Sequence, residues 1–206
     1  METNKPAEAS AIESGNIDDI LREQERLNQI IHKRFKKKAT IVFTDICGYT
    51  RYMEAMGDIG GRSMLQRHND IVLPIIEQYK GTVVKTIGDA VMAVFSEPLE
   101  AVKAAIAIQT GLCEHNRKTD DKNRIFLKIG INSGEVLEDR GDLFGDAVNV
   151  AARIQAQADK EEILISRALF AQVRGSEDVL CRFCKTVEVK GKSEPLELYR
   201  VVWKEE

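Results

Sequence analysis

The hydrophobic positions of the chain change their period several times, and each period predicts a different element. Residues 39–46 are apolar almost throughout, which is typical of a strand buried on both faces. Residues 62–79 carry apolar side chains three and four positions apart, the spacing of an amphipathic helix. Two further apolar runs within residues 82–96 flank the pair Gly88-Asp89 and predict two strands joined by a tight hairpin turn.

The order of the predicted elements indicates the fold class. Up to residue 137 the order is β, α, β, β, α, β, which matches the ferredoxin-like split β-α-β arrangement. The later pattern predicts an αβαββ extension, with a helix over 144–158, a strand over 163–166, a helix over 167–173 and strands over 182–189 and 196–203. We also expect an interruption of the fourth strand near 132–134 and a loop over 138–143. Together these elements predict an α/β (α+β) fold with a βαββαβ core.

Residues 16–38 predict an amphipathic helix ahead of this core. Asn16 suits its N-cap, and three lysines, 36–38, suit its C-terminal end. Alternating steps of three and four residues connect a narrow seam made of Ile17, Ile20, Gln24, Leu27, Ile31 and Arg34. The seam is short and partly polar, so a coiled-coil-like dimer linker and a helix packed on its own domain both remain open. Residues 1–15 are typical of a disordered lead-in, and residues 39–206 form the predicted globular domain.

Composition narrows the class of protein. The 206 residues have a formal net charge of −3, which argues against an overall electrostatic footprint for nucleic acid. No apolar run approaches the roughly 20 residues of a membrane span, and the N-terminus lacks the apolar core of a signal peptide. We therefore expect a cytoplasmic location.

Cys181 and Cys184 have no second ligand pair nearby, which favours buried thiols over a zinc site. The three histidines are expected at solvated helix positions.

Two aspartates are predicted to meet at one edge of the sheet. Asp45 ends the first strand, and Asp89 lies in the hairpin turn. The first strand lies beside this hairpin in a βαββαβ sheet, so the two carboxylates can face each other. Paired carboxylates favour Mg²⁺, and a two-ion site suits phosphoryl or nucleotidyl transfer. The backbone amides of residues 46–50 open a helix and are suited to phosphate oxygens.

Three segments resemble the class III nucleotidyl cyclases, the adenylyl and guanylyl cyclase catalytic domains. They are residues 43–50 (Phe-Thr-Asp-Ile-Cys-Gly-Tyr-Thr), 84–95 (Val-Lys-Thr-Ile-Gly-Asp-Ala-Val-Met-Ala-Val-Phe) and 144–153 (Phe-Gly-Asp-Ala-Val-Asn-Val-Ala-Ala-Arg). The segments occur in the family's order and spacing. The resemblance extends over about residues 39–203.

The resemblance implies roles for the matching residues. Asp45 and Asp89, with Ile46, would bind two ions of Mg²⁺ or Mn²⁺ in each active site. Asn149 and Arg153 would hold the ribose and stabilise charge on the α-phosphate. These two residues are four apart on one predicted helix and therefore share a face.

Further matching residues would bind the base and the triphosphate. Lys85 and Asp142 would read the purine, because a lysine donates to N1 of adenine and an aspartate accepts from its 6-amino group, whereas guanine reverses both. The pair thus favours ATP over GTP. Lys190 would contact the triphosphate, together with the amides of Cys47, Gly48, Tyr49 and Thr50.

The sequence departs from many relatives between Gly134 and Asp142. This segment is shorter than the arm found in many relatives, so Asp142 is placed by its offset from Gly145. Glu135 stands where some relatives carry an arginine, which removes one phosphate contact.

The resemblance also implies an active site shared by two subunits. One subunit would supply the metal aspartates, and the other would supply the purine pair and the Asn149/Arg153 helix. The chain carries both sets, which implies a homodimer, and the helix over 16–38 would link it to an upstream sensor domain. The favoured function is an adenylate cyclase that converts ATP to 3′,5′-cyclic AMP and pyrophosphate. A guanylate cyclase and a non-catalytic nucleotide-binding regulatory dimer are the alternatives.

Overall fold

The computed structural model describes residues 16–188 and 194–204, which form five α-helices and one eight-stranded sheet. The helices are α1 (Ile17–Phe35), α2 (Tyr49–Gln78), α3 (Pro98–Arg117), α4 (Asp146–Gln157) and α5 (Arg167–Val173). The strands are β1 (Lys36–Ile46), β2 (Thr82–Ile87), β3 (Ala90–Phe95), β4 (Leu127–Asp139), β5 (Asp142–Phe144), β6 (Ile163–Ser166), β7 (Leu180–Val187) and β8 (Leu196–Val202). The predicted α+β class is confirmed. Within these described ranges, none of the helices combines the length and apolar character that crossing a bilayer requires.

Strand β1 occupies the middle of the sheet. The strand order is β2-β3-β1-β4-β6-β8-β7, with β5 paired to β4. Val42 and Ile46 of β1 pack with apolar side chains of α2 and α3, whereas Ile41 and Phe43 pack on the opposite face with side chains of α4. This double burial explains why the strand is apolar throughout, and it places β1 beside the hairpin as the sequence predicts.

Helix α1 forms a compact unit of its own, and a second unit begins at Lys37. Asn16 is its N-cap, as predicted, and accepts a hydrogen bond from the Asp19 N–H at 3.0 Å. In this helix, which the structure describes in full, no side chain is buried. Its apolar seam is therefore exposed.

The three lysines at the predicted end of this helix belong to the sheet instead. The helix ends at Phe35, and residues 36–38 begin β1. The predicted helical segment 16–38 is thus too long by these residues. The strand extends because its neighbour β4 continues to Asp139 and offers backbone partners, while all three lysine side chains stay exposed.

The region 126–145 also differs from the prediction. Strand β4 is continuous, because Asn132 donates to the Ala147 carbonyl at 3.0 Å and Ser133 pairs with the Thr40 hydroxyl at 3.2 Å. The predicted loop over 138–143 contains a turn and β5, which pairs back on β4. The extension is therefore βαβαββ rather than αβαββ, because a three-residue strand shows no periodicity in the sequence.

Helix α2 is broken and buries a polar side chain. Its backbone leaves helical values at Gly57, with φ of 71° and ψ of 177°. His68 is fully buried, contrary to its expected solvated position, because it lies one turn from Met64 and from Val72 on the inner face. Burial lowers the pKa of His68.

Gly130 sets the distance between α4 and β4. A Cβ atom at this position would lie 2.1 Å from the backbone nitrogen of Gln155, which is too close for any contact. The helix that carries Asn149 and Arg153 can therefore pack on the sheet only over a glycine.

The substitution Gly130→Ala should lower the free energy of unfolding by about 3 kcal/mol, because backbone atoms must move apart. Urea denaturation measures this change. Gly175→Ala is the matched control, since a Cβ there meets nothing within 4 Å. Equal losses in both variants would contradict the packing described for Gly130.

Candidate active site

Asp45 and Asp89 lie together at one edge of the sheet. Asp89 occupies the two-residue turn between β2 and β3, and Gly88 before it has φ of 63°, as the first central residue of a type II′ turn requires. The Asp89 Oδ2 accepts a hydrogen bond from the Ile46 N–H at 3.1 Å. Ile46 directly follows Asp45, so the turn brings the second carboxylate to the end of β1.

Nearby groups shift the pKa of Asp45 in both directions. Burial raises the pKa of Asp45, and the charge of Asp89 raises it further. Lys128 and the side chain of Gln155 act in the opposite direction and lower this pKa. Two carboxylates this close repel each other unless a cation balances them. The edge is therefore suited to a divalent cation.

The donor set at this edge fits an ion that is shared with a nucleotide. Among the residues that the structure describes, no group of three or more His, Cys, Asp or Glu side chains could hold a metal ion. Mg²⁺ is usually held by one or two carboxylates together with substrate phosphates and water. Asp45 and Asp89, with the carbonyl of Ile46, would supply such a partial set.

The turn after β1 presents backbone amides. Gly48 is the N-cap of α2 and has φ of 76°. The first N–H groups of a helix have no acceptor within the helix, so the amides of Gly48, Tyr49 and Thr50 are suited to phosphate oxygens. The Cys47 N–H differs, because it already donates to the Phe126 carbonyl at 2.8 Å.

Lys85 and Asp142 form an ion pair within one chain. The Lys85 Nζ donates to both carboxylate oxygens of Asp142, at 2.7 and 2.6 Å. Lys85 lowers the pKa of Asp142, and the Leu143 N–H lowers it further. The two side chains remain 40% and 34% exposed, so a ligand can reach them.

A bulge in β2 directs Lys85 toward Asp142. The pairing with β3 shifts between Val83 and Lys85, so that Val84 and Lys85 both lie on the face of Met92. Without the extra residue, Lys85 would share the opposite face with Val83, because side chains alternate along a strand. Met92 packs with Leu143 of β5, so the bulge brings Lys85 to the strand that carries Asp142.

Asn149 and Arg153 lie one turn apart on α4. Asn149 is exposed and Arg153 is partly buried, whereas Val150 and Ile154 beside them are buried. Gln155 on the same helix interacts with Asp45. Arg153 is two residues from Gln155, about 200° around the helix axis, and therefore points away from Asp45 of its own chain.

The structure thus brings together the two aspartates and, separately, Lys85 and Asp142, the expected purine pair. Lys190, the expected triphosphate contact, lies outside the described residues. Two neighbours of Asp45 had not been singled out from the sequence, namely Lys128 and Gln155. A charged residue inside the apolar strand 126–137 was the available signal for Lys128. No signal in the sequence indicated Gln155, because only the packing of α4 on β4 places it beside Asp45.

Comparison with known proteins identifies the family of the chain. The sequence profile of the family described as the adenylate and guanylate cyclase catalytic domain matches residues 31–202. The chain belongs to this cyclase family. An adenylate cyclase of Anabaena cylindrica is 34% identical over 184 residues, covering 80% of this chain and 37% of that protein.

Solved cyclase structures share the fold of this cyclase domain. An adenylate/guanylate cyclase/hydrolase from Silicibacter pomeroyi is 32% identical with a TM-score of 0.71, covering 81% of this chain and 97% of that chain. The guanylate cyclase domain of RhGC from Catenaria anguillulae, solved with GTP, is 24% identical with a TM-score of 0.69, over 81% and 97% of the two chains. The second likeness concerns the fold alone. The cyclase domain spans between 19% and 37% of the length of the first curated relatives it matches.

The substitution Lys85→Met should raise the pKa of Asp142 toward its ordinary value, because the ammonium is the main cause of the lowered value. NMR titration of the Asp142 carboxyl carbon measures the change. Lys122→Met, which alters an exposed lysine outside the sheet, is the control. An unchanged Asp142 pKa in Lys85→Met would show that the ion pair does not form in solution.

Proposed function

We propose that this cyclase domain is an adenylate cyclase that forms 3′,5′-cyclic AMP and pyrophosphate from ATP. The ion pair of Lys85 and Asp142 carries this proposal. It presents a donor beside an acceptor, which complements N1 and the 6-amino group of adenine, whereas guanine requires the reverse order. The adenylate cyclase name of the Anabaena relative supports the same substrate.

The remaining site residues fit nucleotidyl transfer. Asp45, Asp89 and the Ile46 carbonyl would hold two ions of Mg²⁺ or Mn²⁺. When bound, such ions would lower the pKa of the attacking 3′-hydroxyl and stabilise the leaving pyrophosphate. Asn149 would orient the ribose, and the guanidinium of Arg153 would stabilise the charge that develops on the α-phosphate.

The triphosphate would be bound by groups from two places. The amides of Gly48, Tyr49 and Thr50 open α2, where the helix dipole also favours an anion. Lys190 would add a positive charge. The Cys47 amide, whose N–H is engaged in the sheet, contributes the least to this part of the site.

The orientation of α4 supports a homodimer with two shared sites. Gln155 turns toward Asp45 of its own chain, and Arg153 and Asn149 are separated from it by about 160° and 120° around the helix. A centre that contains Asp45 and Arg153 is therefore most readily completed by a second copy. The exposed seam of α1 supports a dimer linker, and an upstream sensor domain would act through it.

A guanylate cyclase and a non-catalytic nucleotide-binding dimer are the rival functions. Exchanging the purine pair by Lys85→Asp with Asp142→Lys should lower turnover of ATP about a hundredfold or more and raise the relative turnover of GTP. Measuring cyclic products from both nucleotides with Mg²⁺ and with Mn²⁺ tests this expectation. Wild-type preference for GTP would identify a guanylate cyclase, and turnover of neither nucleotide would favour the non-catalytic dimer.

A mixing experiment tests the shared site. Asp89→Asn and Arg153→Ala should each be inactive, but their equal mixture should recover about a quarter of wild-type activity. Half of the dimers are then mixed, and each of these holds one intact site of two. A mixture of Asp89→Asn with Asp45→Asn is the control, because both variants lack the same half of the site. Recovery in neither mixture would contradict the shared site.

A further inference from the structure

Lys128 lies directly across the sheet from Asp45. Two contacts fix the register of β1 against β4. The Cys47 N–H donates to the Phe126 carbonyl at 2.8 Å, and the hydroxyls of Thr40 and Ser133 meet at 3.2 Å. Both contacts belong to one antiparallel register, which pairs residue 45 with residue 128.

Residues directly opposite in an antiparallel pair share a face, with Cβ atoms about 4.5–5.5 Å apart. The long side chain of Lys128 therefore lies on the face of the Asp45 carboxylate. Lys128 is partly buried, and its neighbour on that face is Gly130, over which α4 packs. Its charge acts on Asp45, whose pKa it lowers.

A positive charge nearby lowers the cost of holding two carboxylates close together, even before any ion binds. Ile46 supplies one hydrogen bond to Asp89, but an amide carries no net charge. Lys128 supplies a full unit of charge from the opposite strand. The same charge opposes any cation that approaches the two carboxylates, so it must weaken metal binding as well as stabilise the pair.

We propose that Lys128 is a positioning residue that sets the metal affinity of the Asp45–Asp89 pair, holding it low until a nucleotide adds its phosphates. The inference rests on the proposed function, because it concerns the same metal site. In the free protein, Lys128 supplies part of the positive charge that a bound divalent ion would otherwise provide. The triphosphate of the substrate then supplies the negative charge that outweighs Lys128, so that nucleotide and metal bind together.

The test is Mn²⁺ binding to the full chain without nucleotide, measured by electron paramagnetic resonance. Removing the charge by Lys128→Met should tighten binding about tenfold, because one fewer unit charge opposes the divalent ion at short range. Lys128→Gln removes the same charge while keeping a polar side chain, and it should show the same change. Lys128→Arg should bind as the wild type does, and Lys118→Met, an exposed lysine elsewhere, is the control.

The outcomes separate this inference from the proposed function. If the wild type binds Mn²⁺ and Asp89→Asn does not, the metal site is present. Unchanged affinity in both Lys128→Met and Lys128→Gln would then overturn the role of Lys128 and leave the cyclase site intact. If Asp89→Asn binds Mn²⁺ as the wild type does, the proposed metal site is wrong, and so is the proposed role of Lys128.

Discussion

The repulsion between two carboxylates held at one edge of the sheet is the constraint that the elements around the candidate site must satisfy. Asp45 and Asp89 would separate if their backbones were free to move. Asp45 is fixed because β1 is buried on both faces, and Asp89 is fixed because a tight turn and the Ile46 N–H hold it. The opposing charge of Lys128 on β4 further reduces the cost of bringing the two carboxylates together.

The hairpin of β2 and β3 carries two residues with different proposed roles. Asp89 in its turn faces the end of β1, whereas Lys85 faces Asp142 on β5. The bulge at Val84 causes the two side chains to face different partners, because it moves Lys85 to the face that β5 covers. In the proposed dimer, this one hairpin therefore belongs to both catalytic centres.

Helix α4 also presents candidate site residues on two different sides. Its inner side packs on β4 over Gly130, and its Gln155 lies near Asp45. Its Asn149 and Arg153 lie on the other side, directed away from that carboxylate. In the proposed dimer, a helix with this arrangement would support Asp45 of its own chain and offer Asn149 and Arg153 to the other chain.

The sequence by itself determined the α+β class, the hairpin turn at Gly88-Asp89 and the cap of α1, because each depends on local backbone preference and hydrophobic period. It also predicted that Asp45 would meet Asp89 and pointed to the cyclase family through three spaced segments. Only the tertiary structure showed the short strand β5, the direction of the Lys85 side chain and the burial of His68. So did Lys128 and Gln155 as neighbours of Asp45, since strand register and helix packing join residues that are far apart in the chain, and no local pattern records those distances.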